Sequence, residues 1–348
     1  MSLNEEFAAA KTADNKLRKE RDAALHLVQN LQERLDLAER ALNFIEKIEQ
    51  SDIEPPEWLS PSAPKAKSVT PVAMLSDLHL DEVVNPAEVD GLNAYSRSIA
   101  VIRLRSWANN FVKMTRHYLA GMKYDGCVLI LGGDIFSGDI HEELTETNAD
   151  TMFGSFLFWS EQLAAAIDMV HKEFGKVHVV SVVGNHGRTT RKPRMKLRAR
   201  TNFDWLLAKE LERHFAKNKY ITFTIPEGSD AFFNVYGHGQ LVTHGDQATG
   251  GGGIGGIYPP IMRLRARKAQ RYLATGQNFS TLWLGHWHQY LPSPSLIVNG
   301  SMKGVDEYAF INNFGMEVPQ QAMAIITPEH GITFQAPIFC QERKKEGW

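Results

Sequence analysis

Apolar residues recur along this chain in two different rhythms. Over residues 4–50 they fall alternately three and four apart: Leu17, Ala24, Leu31, Ala38 and Ile45 hold one set of positions, and Val28, Leu35 and Leu42 the other, with Arg21 as a polar interruption. That stretch has no Pro or Gly and is dense in strong helix formers. The spacing, sustained for about four heptads, favours a coiled-coil seam over a helix laid on a globular core. Residues 1–50 are therefore expected to be an N-terminal helix that forms a coiled coil and makes the protein a homo-oligomer. Residues 51–70 contain four prolines and few apolar positions and read as a linker.

From residue 71 to 348 short apolar runs bounded by glycine alternate with amphipathic stretches. Strands are predicted at Pro71–Leu75, in the run from Gly126 to Asp134, and at Val177–Val183, Ile221–Ile225, Gly239–Thr243 and Thr281–Leu284. Between them the pattern predicts helices over 94–122, where Ile99, Ile102, Leu104, Trp107 and Phe111 offer an apolar face, and over 148–174 and 203–216. A basic helix precedes Thr281. Leu296–Val298, Gln321–Thr327 and Ile332–Ile338 read as strands joined by tight turns such as Glu329-His330-Gly331. Strands interleaved with helices predict an α/β core with a sheet buried by helices.

Composition changes this picture little. The chain is 43% hydrophobic, ample for a folded core, and its 38 basic and 40 acidic residues nearly cancel. Net charge thus announces no polyanionic or membrane partner, and local clusters must carry any such signal. Cys127 and Cys340 are too few for a disulfide framework, and Cys127 lies in an apolar run, as a buried free thiol would. No apolar signal region or membrane-length run is present, so a cytoplasmic protein without a membrane partner is expected.

The candidate chemistry sits where the strands stop. Five apolar runs end in residues that ligate hard or borderline metals: Asp77 and His79; Asp134; Asn185 with His186; His244; and His286 with His288. In open α/β sheets a site lies beyond the carboxyl ends of the strands, so residues this far apart in sequence can share one place. Oxygen and imidazole donors without thiolate suit Mn, Fe or Zn rather than a structural zinc cage. Any one of these pairs occurs often by chance, whereas five in ordered succession do not.

Written out, the motifs are SDLH at 76–79, GGD at 132–134, GNH at 184–186, THGD at 243–246 and GHWH at 285–288. In order and spacing this set resembles the signature of the calcineurin-like metallophosphoesterases, among which bacterial and phage phosphoesterases or nuclease-like members look nearest. The resemblance implies a four-layer αββα sandwich and two divalent metal ions, manganese first, with iron, zinc or magnesium as alternatives. Asp77, His79 and His288 would hold one ion, Asn185, His244 and His286 the other, and Asp134 would bridge both. The implied reaction is hydrolysis of a phosphate ester by a two-metal-activated hydroxide. Asp134 and His186 would be its catalytic residues, with His186 contacting the phosphate and protonating the leaving oxygen. This chain departs from the family at one point: an acid usually follows GNH, and here Gly187 and Arg188 stand instead. Asp246 is a candidate substitute for orienting His186.

Two basic clusters adjoin these motifs. Arg188, Arg191, Lys192, Arg194, Lys196, Arg198 and Arg200 follow GNH with no acid among them; Arg263, Arg265, Arg267, Lys268 and Arg271 follow a glycine-rich loop at 250–256. Beside a phosphoesterase centre they predict a polyanion, DNA above all, so that the leading expectation is a DNA nuclease with Arg188, Arg191, Lys192 and Arg194 on the substrate. Trp287 and Tyr290 could stack a base, whereas Trp283, inside a strand, belongs to the core. The competing expectation with the same centre is a protein or phosphomonoester phosphatase, or a cyclic or dinucleotide phosphodiesterase. A third is a non-catalytic oligomeric scaffold.

Overall fold

A computed structural model describes residues 18–32 in part, 56–59, 68–250 and 256–348. It separates two compact units, Met1–Asp52 and Ile53–Trp348. In the first, the described residues between 18 and 32 are helical and exposed. Most of the predicted coiled-coil seam, and most of the linker at 51–70, lie outside the described residues.

The second unit is mixed α/β with two sheets. The larger sheet contains β1 (Ser68–Leu75), β2 (Lys123–Tyr124), β3 (Cys127–Leu131), β4 (Val177–Ser181), β5 (Ile221–Thr224), β11 (Gln320–Thr327) and β12 (Gly331–Phe339). Its order is β12-β11-β1-β3-β4-β5, with β2 beside β1. The run β1-β3-β4-β5 is parallel, and β11 and β12 join antiparallel. The smaller sheet has β6 (Asp230–Val235), β7 (His238–Thr243), β8 (Thr281–Leu284), β9 (Leu291–Ser293) and β10 (Leu296–Val298), in the order β6-β7-β8-β10-β9. Here β7, β8 and β10 are parallel, with β6 and β9 antiparallel at the edges.

Packing follows from the pleat. Alternate residues of β1, β3 and β4, namely Val72, Met74, Val128, Ile130 and Val180, meet Phe233, Val242, Trp283 and Ile297 of the smaller sheet in one apolar cluster, so the two sheets lie face to face. The outer face of the larger sheet packs on α1 (Arg97–Lys113), α2 (Met152–Phe174) and α3 (Phe203–His214), and that of the smaller on α4 (Tyr258–Leu273). Each outer helix has a local reason to start. Ser96, Thr151 and Asn202 accept the first backbone donors of α1, α2 and α3, and prolines open α4. α1 presents Ala100, Leu104, Trp107 and Phe111 at helical spacing. Trp283 is fully buried, as its strand position predicts, with Nε1 donating to Gln240 3.0 Å away. Both cysteines are buried and free. The predicted strands recur within a few residues of their expected limits; the helix expected over 94–122 ends at Lys113 and passes into a π-turn. The sequence pattern misses β6, whose half-buried alternation starts on Asp230 and contains Asn234. Among the described residues no helix is long and apolar enough to cross a membrane.

His178 on β4 gives the fold a pH signature. Its nitrogens lie 2.8 and 3.0 Å from the hydroxyls of Thr222 and Thr224, and burial lowers its pKa to about 4. The folded protein keeps it neutral, whereas the unfolded chain takes up a proton below about 6.5. Its contribution is thus full above pH 6.5 and lost as pH falls toward 4, by on the order of 3 kcal/mol. Urea midpoints across that window should fall more steeply for the parent than for His178→Gln; equal slopes would exclude the assignment.

Candidate metal centre

The parallel strands β1, β3, β7 and β8, together with the loop after β4, deliver the motif residues to one place. Asp77, His79 and His288 form one group of convergent donors, Asp134, His244 and His286 a second, and His79, Asp134 and His186 a third, each with its ligand atoms within 4.8 Å of one another. Asp134 belongs to two of them. His244 Nε2 stands 2.9 Å from one oxygen of Asp134, while the other accepts the backbone N–H of His186 at 2.7 Å. On the opposite side, His288 Nε2 is 3.4 Å from Asp77 Oδ1 and 3.1 Å from His79 Nε2.

The local backbone is unusual. Asp77, His79, Asp134, His286 and His288 all have left-handed φ, between 45° and 71°. Non-glycine residues in this region cost of order 1 kcal/mol or more each and gather where function over-determines them. Close approach also requires glycine at 184, since a Cβ there would lie 2.0 Å from Asp134 Oδ1.

These residues have the donor chemistry to hold metal ions. Asp77 and Asp134 bury two carboxylates in one place. Burial alone would push both up; His288 beside Asp77 and His244 beside Asp134 hold them below the ordinary range. Burial also opposes charge on His244, but Asp134 overrides it and raises this imidazole to about 10, so a proton balances charge where a metal would. Burial instead lowers His79 and His286 to about 4, leaving neutral rings with lone pairs to offer. Asn185 Oδ1 is buried without a hydrogen-bond partner, as an amide oxygen reserved for a cation would be.

Two solved structures show a distant likeness to the chain. One is a conserved uncharacterized protein, a predicted phosphoesterase, from Streptococcus pneumoniae, 9% identical over 77% of this chain and 98% of that one, at a TM-score of 0.26. The other is Vacuolar Protein Sorting 29 from Cryptosporidium parvum, 11% identical over 78% of this chain and 99% of that one, at 0.29. No protein-family model and no curated protein matches the chain.

Around these candidate donors lies a shell that the motifs do not display. His244 Nδ1 pairs with the Gly132 carbonyl at 2.9 Å, turning Nε2 to the centre. Asp204, buried at the start of α3, accepts the backbone N–H groups of Asp134, Ile135 and Gly184 at 3.0, 3.2 and 2.9 Å and so stitches the GGD and GNH loops together. Burial, then the charge of Asp134, raises this carboxyl to about 6. Asn202 and Asp204 also crowd Gly187: a Cβ there would lie 2.5 Å from Asn202 Oδ1 and 3.0 Å from Asp204 Oδ1, so a larger residue at that position would have to displace them.

His186 is oriented by the backbone, not by Asp246. Its Nδ1 lies 2.7 Å from the Ser137 carbonyl, and its ring stands edge-on to His79 with centroids 4.5 Å apart. Burial lowers its pKa. Asp246 instead pairs with Arg198 at 2.9 Å.

The structure sorts the basic clusters. Arg188 turns its donors onto loop carbonyls, that of Asn185 at 2.7 Å included, so it shapes the ligand loop. Arg198 and Arg200 pair with Asp246 and Glu227. Arg191, Lys192, Arg194 and Lys196 are exposed between these anchors. On α4, Lys268 is buried against Asp230 at 2.6 Å and Arg265 bonds the Ser295 carbonyl, whereas Arg263 and Arg267 edge a shallow depression beside Gln247 and Thr249, just after His244.

Proposed function

We propose that the protein is a metal-dependent phosphoesterase that hydrolyses phosphodiesters in nucleic acid, most readily DNA. The observation that carries the phosphoesterase reading is the place of Asp134 in two donor groups at once. Asp77, His79 and His288 would hold one divalent ion, Asn185, His244 and His286 the second, and Asp134 both. Such ions, when bound, supply positive charge for the phosphate oxygens and acidify water. The chain's own residues do the rest. Asp134 fixes the distance between the two ligand sets, His186 presents Nε2 to the phosphate or leaving oxygen, and Asp204 keeps the two loops in register. The finer fold assignment, a four-layer αββα sandwich of the calcineurin-like type, belongs to this reading, as do oligomerisation through residues 1–50 and manganese as the native metal.

The exposed run Arg191, Lys192, Arg194 and Lys196 supports a long polyanion, because it starts five residues from His186 and is tied down by Arg188 on one side and Arg198 and Arg200 on the other. Arg263 and Arg267 add charge next to the His244 loop. Changing Arg191, Lys192 and Arg194 to Glu should weaken DNA binding and lower the salt slope by about one for each phosphate no longer neutralised, while a small diester is still cleaved. Parallel loss on both substrates would remove the run from substrate binding. The deciding assay offers purified protein with Mn²⁺ single- and double-stranded DNA, a small diester and phosphomonoesters. Turnover of monoesters with intact DNA would replace the nuclease reading by the phosphatase one. Less than one bound metal per chain, without rescue by Mn²⁺, would favour the scaffold.

A further inference from the structure

His79 is buried, and its two nitrogens face different surroundings. Nε2 looks toward His288 across 3.1 Å. Nδ1 has no well-aligned hydrogen-bond partner, and the carboxylate nearest to it is Glu82 Oε2, 3.3 Å away. Glu82 is itself 6% exposed, and its other oxygen takes the ammonium of Lys303 at 2.8 Å. Lys303 also bonds Asp306, whose second oxygen caps the short helix Glu307–Ile311 through the Ala309 N–H at 2.7 Å.

This arrangement is built from behind. Arg103 of α1, itself paired with Glu346 at 3.0 Å, donates to the carbonyls of Met302 and Lys303 at 3.0 and 2.7 Å, and Asn93 donates to that of Lys303 at 2.8 Å. The same segment braces Asp77, whose carbonyl accepts from the Ser301 hydroxyl at 2.9 Å and the Met302 N–H at 3.2 Å. Glu82 Oε2 further lies 3.5 Å from the hydroxyl of Ser137, the residue whose carbonyl holds His186. The same carboxylate thus lies beside His79 and next to the residue that holds His186. Three charged side chains buried together, Glu82, Lys303 and Asp306, are costly unless they position something.

We propose that Glu82, held by Lys303, is the positioning residue that fixes His79 with its Nδ1 proton toward the carboxylate and its Nε2 lone pair toward the metal centre. A carboxylate behind a ligating imidazole sets the tautomer and the ring angle and raises the basicity of the ligand nitrogen. Lys303 and Asp306 hold the carboxylate in place and leave the group net negative behind a cation site. The inference rests on the metal-centre reading and extends it to the set that holds Asp77, His79 and His288, leaving the His244 and His286 set untouched.

Two measurements test it. In metal-free parent protein labelled with ¹⁵N-histidine, the His79 imidazole, assigned by its loss in His79→Gln, should be protonated at Nδ1; protonation at Nε2 in the parent overturns the proposal. Calorimetric titration with Mn²⁺ should then resolve two binding steps in the parent. Glu82→Gln, whose amide can donate to Nδ1, should weaken one step about 10- to 100-fold and leave the other within about threefold, and Lys303→Arg should keep both near the parent values. Two unchanged steps, or equal loss in both, overturn the positioning role. Absence of stoichiometric metal binding in the parent would overturn the metal-centre reading and the proposal with it.

Discussion

Asp134→Asn is expected to lose turnover by about 10³-fold or more and to bind both metals more weakly. The size reflects how much one carboxylate serves. It belongs to the donor groups of His79 and of His244 with His286, so neutralising it removes charge stabilisation worth several kcal/mol from the reacting centre. The fold should survive, because Asp204 holds the residue through its backbone N–H and an amide oxygen can still face His244. Metal per chain after equilibrium dialysis, alongside hydrolysis of a small diester, reads both effects. Two ions retained at parental affinity would mean that Asp134 is not shared.

His186→Ala is expected to separate the two effects. The imidazole sits edge-on to His79, but its Nδ1 is taken by the Ser137 carbonyl, which leaves Nε2 for substrate. Its loss should slow turnover by about 10²- to 10⁴-fold, the range for one positioned acid or base, with metal content as in the parent. A fall in metal content equal to that of Asp134→Asn would instead make His186 a ligand.

The sequence discloses the donors of this centre but not what holds them. Strand-end residues are legible because buried parallel strands read as apolar runs, and the break into Asp, Asn or His is abrupt at 77, 134, 185, 244 and 286. Asp204 is hidden because an acid in the first turn of a helix is ordinary. The Ser137 carbonyl has no side-chain signature at all. Glu82 and Lys303 meet across 221 positions, beyond any local pattern. Charge runs suffer likewise: Arg198 and Arg200 look like their neighbours in sequence, but their acids lie 48 and 27 positions away. Gly187 shows the converse, since a residue read as a departure from a family pattern lies where a Cβ would crowd first Asn202 and then Asp204.

The ligand set straddles a seam. Asp77 and Asp134 stand at the ends of β1 and β3 in one sheet, while His244, His286 and His288 follow β7 and β8 in the other. If either sheet is peeled from its partner, one side of the centre leaves with it, so no partly unfolded form that opens this interface can keep the donors together. The donor constellation is thus all-or-none with respect to this interface, and any ion it held would report whether the two halves of the core have closed on each other.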